Sequence, residues 1–404
     1  MSNAAAFLLP APRIPGSNWS KFSSKAKSAF LQPSFCAGPR SRLPSASGLR
    51  RNHRPWKLKS TGCKPIDSEY LSTDAFSGTL FLITLHSHSE ADSGRLRESN
   101  LTMNHPDSKV NTAQFYGNVS TPKAAALADF RRRFPEKTVR DGAVEWRYRV
   151  IGSAVPALLA IPGGELVNDT GFEFALAISG CCRIIYPAYP RVDSIEQLAG
   201  GLRAILDAEK ISQTAILGAS FGGALAQVFV RKYPERISHL ILSNCGVPLR
   251  YLVPSVRVFS WIAEALPWSA TAALLRRSMP RALAITEEDR AFWSAYFDEL
   301  FSIRITKADL LANIRIQLDY HRRFHFTPQD LEVWKGKILI AESDTDVISQ
   351  RRRQALRQTY PNALVHTYQN GGHATMFLCF DEFLAMVKRF LDTEGDECPQ
   401  EFKS

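Results

Sequence analysis

Between an apolar run and a helical pattern stands Gly218-Ala219-Ser220-Phe221-Gly222, a serine held between glycines. A strand that turns abruptly into a helix forces its apical residue into backbone geometry that only small neighbours tolerate, which is the reason for Gly218 and Gly222. Ser220 is thereby placed on a sharp bend as a candidate nucleophile. No lysine follows the glycines as a phosphate-cradling loop requires. A serine hydroxyl is a poor nucleophile until a base takes its proton, and the base needs an acid to orient it. His373, in the glycine-bearing loop "YQNGGHATMF", is the candidate base. Glu342, Asp344 and Asp346 compete for the acid within "ILIAESDTDVIS". A residue still inside the strand points into the sheet's packing, whereas one a few positions beyond reaches over the edge. That favours Asp346, with Asp344 as the alternative. Acyl transfer also needs donors for the developing oxyanion. The N–H of Phe221 is one, and the N–H of Gly164 in "PGGELVNDTGF" is the other, with Gly163 freeing the turn.

These residues need strands and helices to carry them. From about residue 112 short β-rich runs alternate with helical periods, the pattern of a mostly parallel sheet covered by helices. The runs are "VEWRYRVIG", "PALLAIPGG", "CRIIYPAYP", "TAILGAS", "ISHLILSNCG", "KGKILIAESDTD" and "ALVHTYQNGGH". Between the third and fourth, "DSIEQLAGGLRAILDAEKI" carries one apolar stripe behind Asp193 or Ser194 as N-cap. The alternation stops at residues 249–333, where helical periods broken by proline and rich in Trp and Phe predict a helical lid. The lid aromatics suggest an apolar substrate group, although at helical spacing such residues more commonly form core. The Arg clusters at 131–133, 276–277, 322–323 and 351–353 read as solvated faces, with an anionic substrate contact as the minor option for those in the lid.

Charge separates the chain into parts. Lys and Arg number 50 against 39 Asp and Glu, yet twelve of the 50 lie in the first 66 residues, which contain no acid. Residues 67–404 are left with a net charge of −1, so the basic balance is no argument for nucleic-acid binding by the folded part. Residues 1–102 are expected to form a disordered basic leader, either an organellar transit peptide or a mis-assigned start ahead of Met103. Residues 394–404 read as a polar tail. The apolar stretch at 76–86 is too short to span a bilayer. Seven cysteines without a CxxC pair suggest reduced thiols and a cytoplasmic setting, or an organellar one if the leader is a transit peptide.

The serine turn, the late acid and the late Gly-Gly-His, in that order, resemble the α/β-hydrolase superfamily over residues 112–392. The resemblance implies an α/β fold: a mostly parallel eight-stranded sheet flanked by helices, with the lid inserted before the last two strands. Within it, "LGASFGGALAQVFVRKYPERISHLILSNCG" with "IIYPAYP" is similar to maspardin-like proteins, mainly over residues 182–246. Many superfamily enzymes carry His-Gly at the oxyanion loop, where this chain has Pro162-Gly163, so support for that loop must differ. The superfamily implies a serine hydrolase acting on an ester or related small-molecule acyl substrate, with no metal or organic cofactor. A serine nucleophile argues against the dehalogenase and epoxide hydrolase branches, which use aspartate. The maspardin-like likeness implies the alternative, a non-catalytic adaptor that binds a protein partner.

Overall fold

The computed structural model describes residues 113–117, 119, 121–282 and 289–392. The leader and the polar tail expected from the sequence lie outside the described residues. Eight strands form one sheet: β1 (Lys137–Asp141), β2 (Val144–Ile151), β3 (Ala157–Ile161), β4 (Arg183–Pro187), β5 (Thr214–Ala219), β6 (Ile237–Ser243), β7 (Lys337–Ser343) and β8 (Leu364–Tyr368). Their order is β1-β2-β4-β3-β5-β6-β7-β8. The first two pairings, β1 with β2 and β2 with β4, are antiparallel and the rest are parallel.

The inner parallel strands read as near-continuous apolar runs because helices bury them on both faces. Leu158, Ile184 and Leu217 point into one core, and Leu159, Ile185 and Ile216 into the other. One side is covered by α1 (Pro122–Arg133) and α2 (Phe172–Ile178), the other by α3 (Ile195–Ala208) and α4 (Phe221–Lys232). Ser194, not Asp193, caps α3, its hydroxyl accepting the Gln197 N–H at 3.3 Å. β1 is the strand that the apolar pattern does not reveal. Its residues, Lys-Thr-Val-Arg-Asp, lie on the sheet edge, largely exposed, and have no apolar face to report them.

The lid follows β6. Its helices are α5 (Val253–Ala265), α6 (Trp268–Ala282), α7 (Arg290–Glu299) and α8 (Lys307–Arg323). The chain then returns to β7, α9 (Gln350–Thr359), β8 and α10 (Phe380–Phe390). Phe292, Trp293, Tyr296 and Phe297 are buried in the core, so these four do not form an apolar substrate wall; Trp261 is 71% exposed. Cys379 is disulfide-bonded, so the expectation of reduced thiols fails at that position. No helix among the described residues is long and apolar enough to cross a membrane.

The turn from β5 into α4 is packed as tightly as its glycines suggest. A Cβ on Gly218 would stand 2.3 Å from the Gly222 carbonyl oxygen, and one on Gly222 would stand 2.5 Å from the carbonyl oxygens of Ile161 and Pro162. Because these neighbours are backbone, they cannot rotate away. Gly222→Ala is therefore expected to destabilise the fold by about 1–3 kcal/mol, the cost of forcing an extra carbon into a packed interior. Chemical denaturation monitored by circular dichroism measures this, and an unchanged midpoint would contradict it.

Candidate active site

Ser220 sits at the C-terminal end of β5 with φ of 51° and ψ of −114°, the left-handed region that a non-glycine residue avoids. Strain of this kind costs on the order of 1–3 kcal/mol and persists only where surrounding structure imposes it. Here the N–H of Ser220 is held by the Ser243 carbonyl at 2.9 Å, and the Ser220 carbonyl takes the Gly223 N–H at 3.1 Å. The bend turns the hydroxyl toward His373, whose Nε2 lies 3.0 Å from Ser220 Oγ. His373 Nδ1 lies 2.7 Å from Asp346 Oδ1. Residues from three separate loops, spread over 153 positions, thus join in one hydrogen-bonded line.

Asp346 is itself fixed. Its Oδ1 accepts the Ile348 N–H at 3.0 Å and its Oδ2 accepts from Asn244 Nδ2 at 2.8 Å. Asn244 also donates to the Gly372 carbonyl at 3.2 Å, tying the acid loop to the His373 loop. The other two candidate acids point elsewhere. Asp344 caps the neighbouring turn, accepting the Asn370 N–H at 2.7 Å, and Glu342 pairs with Arg357 in the sheet's packing. Burial alone would raise the Asp346 carboxyl, but His373 and the donated hydrogen bonds hold it below its ordinary value. Burial would lower the His373 imidazole, yet the Asp346 charge and hydrogen bond outweigh it and raise the pKa above the usual histidine value.

Gly164, Ser220 and Phe221 line one cleft together with His373. The N–H of Phe221 belongs to the first residue of α4, where amides have no helical acceptor and the helix dipole favours negative charge. Gly164 is exposed to the cleft, while the Gly163 N–H is already taken by Glu165 Oε1 at 3.1 Å. The Gly163 amide is thus engaged within the loop, and Gly164 is the loop residue that lines the cleft. The different support expected for a Pro-Gly loop comes from Tyr189, whose hydroxyl donates to the Pro162 carbonyl at 2.6 Å and whose ring meets Phe221 edge to face.

Sequence reasoning did not find Asn244, Tyr189, Glu165 or Arg352. Asn244 and Tyr189 act by long-range hydrogen bonds that no local spacing encodes, while Glu165 reaches back only two residues to the Gly163 N–H. Arg352 was read within a solvated cluster, yet it lines the cleft beside Gln317 and His321. Arg131 likewise turns inward, against Asp169. Among the described residues no group of three or more His, Cys, Asp or Glu side chains could hold a metal ion.

The α/β hydrolase fold family matches residues 181–378. The chain is 28% identical over 202 residues to a 2-hydroxymuconate semialdehyde hydrolase of Pseudomonas putida, a match covering 46% of this chain and 65% of that protein. It therefore spans less than two thirds of the length of that curated relative. Among solved structures, a hydrolase from Pseudomonas aeruginosa superimposes with a TM-score of 0.54 at 17% identity, over 64% of this chain and 98% of that one. A 2-hydroxy-6-oxo-6-phenylhexa-2,4-dienoate hydrolase from Rhodococcus gives 0.54 at 14% identity, over 64% and 99%. Sheet order, the strained serine turn and these likenesses agree on the fold: the chain has the α/β-hydrolase fold.

Proposed function

We propose that the protein is a serine hydrolase that cleaves an ester or related acyl bond. The observation that carries this reading is the unbroken line from Asp346 through His373 to Ser220, with contacts of 2.7 and 3.0 Å. In the proposed reaction Ser220 Oγ attacks the substrate carbonyl as His373 Nε2 takes its proton. The oxyanion is held by the amides of Phe221 and Gly164. Collapse breaks the bond to the leaving group, which receives the proton from His373. Water, deprotonated by the same imidazole, then attacks the acyl carbon, and the acyl–Oγ bond breaks as His373 returns that proton to Ser220 Oγ. Asp346 keeps the proton on Nδ1 and stabilises the imidazolium. The name of the Pseudomonas putida relative, a hydrolase, supports hydrolysis as the reaction class.

Hydrolysis of p-nitrophenyl esters of increasing acyl length across a pH series tests the reading. His373 must be neutral to accept the proton, and its pKa is raised, so kcat/KM is expected to fall as pH drops through a value above that of free histidine. Asp346→Asn removes the charge that raises it, so the acid limb must move to lower pH. An acid limb that stays in place in Asp346→Asn would contradict the assignment.

A second reading is the maspardin-like adaptor. It draws on the outer face of α5 and the turn before it, where Tyr251, Val258, Trp261 and Ile262 are exposed at 48%, 48%, 71% and 42%. Apolar surface of this kind suits a protein partner. Turnover of any ester that depends on Ser220 decides for the enzyme.

A further inference from the structure

α9 carries four arginines, and three of them are occupied on the protein. Arg351 lies over the Tyr251 ring at 5.0 Å, Arg353 donates to the Ile348 carbonyl at 2.9 Å, and Arg357 donates to Glu342 at 3.2 Å. Arg352 differs. It faces the cleft that holds Ser220 and His373, and among the described residues its Nε is buried without a hydrogen bond and no carboxylate is paired with it. A Cβ on Gly246, another cleft residue, would stand 3.5 Å from its Nη2. A guanidinium stays charged at any physiological pH, and withdrawing that charge from water without a partner is costly.

The wall beside it adds a second donor. His321 Nδ1 accepts the Leu249 N–H at 3.1 Å, so the proton of the neutral ring is on Nε2. Burial, reinforced by the Arg352 charge, pushes His321 down to about 4, so the ring is neutral near pH 7. The Arg352 charge also works against the basicity of His373. An anion seated on Arg352 would relieve both the unpaired charge and its pull on the base. A planar, two-oxygen anion matches the guanidinium fork.

On the reading that Ser220 is the nucleophile, we propose that the cleft selects acyl substrates bearing a free carboxylate, held by Arg352 with His321 beside it. Arg352 is then a specificity-determining residue. It would discriminate between two esters that differ only in whether a distal carboxyl is free.

Mono(4-nitrophenyl) adipate and methyl 4-nitrophenyl adipate form such a pair. The ratio of their kcat/KM values is expected to exceed about tenfold in favour of the anionic ester, the scale of one charged hydrogen-bonded contact. Arg352→Gln should bring the ratio close to one, and Arg352→Lys should retain part of it. A ratio near one in the unaltered protein, or an unchanged ratio in Arg352→Gln, overturns the proposal while leaving the serine hydrolase reading intact. Adipate itself supplies a readout that needs no variant and no turnover. It should raise the melting temperature of the full chain in a concentration-dependent way, and dimethyl adipate should not. No adipate-specific shift would overturn the carboxylate site. A shift without turnover of either ester would uphold the site and count against the catalytic reading.

Discussion

Ser220→Ala is expected to lower kcat by about 10⁵- to 10⁶-fold on any ester that the protein hydrolyses, the scale found when the nucleophile of a concerted serine relay is removed. The loss should fall on kcat with little change in KM, because the hydroxyl acts on the reacting carbon and contributes little to holding the ground state. Folding should survive the change. Ser220 uses its backbone, not its hydroxyl, to make the bend: its N–H bonds to the Ser243 carbonyl and its carbonyl to the Gly223 N–H. An alanine keeps both bonds and the same φ of 51°. The melting temperature of the variant is therefore a control, and equal melting with lost turnover separates chemistry from folding. A variant that kept turnover within tenfold of the parent would refute the role of Ser220.

The second large effect concerns the joint between the helical insertion and the sheet. Asp169, fully buried in the loop after β3, accepts from Arg131 Nε at 2.8 Å, Arg304 Nη1 at 2.9 Å and the Tyr296 hydroxyl at 2.7 Å. Glu299, 2% exposed, accepts from Arg131 Nη1 at 3.0 Å and the Tyr116 hydroxyl at 2.8 Å. Two carboxylates thus face two guanidiniums, with α1 and the β3 loop on one side and the insertion residues Tyr296, Glu299 and Arg304 on the other. Asp169→Asn removes one charge and leaves the guanidiniums in excess away from water. The expected cost is about 3–5 kcal/mol, the range for removing one partner of a buried ion pair.

The pH dependence of that stability has a definite sign. Burial would raise the Asp169 carboxyl, but Arg304 and Arg131 outweigh it and hold the pKa far below the ordinary aspartate value. A group whose folded pKa is depressed contributes stability that is present above its unfolded pKa, about 3.9 for aspartate, and is lost as pH falls through the folded value. Asp169→Asn should therefore lose most stability near neutral pH, with the gap to the parent closing in strong acid. Urea titrations at several pH values measure this, and a constant gap across the range would contradict the assignment.

The sequence made the site legible where chemistry imposes a local pattern. Gly218 and Gly222 announce a turn with no room for a side chain, and the backbone carbonyls 2.3–2.5 Å from their would-be Cβ atoms are the reason. The loop carrying Asp346 could be located because it follows an apolar run that becomes the buried strand β7, and the loop carrying His373 because its glycines follow the short edge strand β8, of which only Tyr368 is fully buried. What stayed hidden depends on approach across the fold. β1 is polar because it is a sheet edge. Asn244 is an ordinary residue until the Asp346 and Gly372 loops close on it. Arg352 sits in an Arg-Arg-Arg run whose members look alike in sequence, and only the placement of α9 turns one of them into the cleft. The lid aromatics show the converse. Their aromatic character suggested an apolar substrate group and their helical spacing a core, and Phe292, Trp293, Tyr296 and Phe297 follow the spacing and pack into the core.

The most direct test of the account is covalent. A fluorophosphonate that reacts with activated serines, followed by peptide mass spectrometry, should give one adduct, on Ser220, and labelling should fall sharply in His373→Ala, where the hydroxyl has no base. An unlabelled Ser220 in folded protein, or an adduct on a different serine that persists in Ser220→Ala, would contradict it.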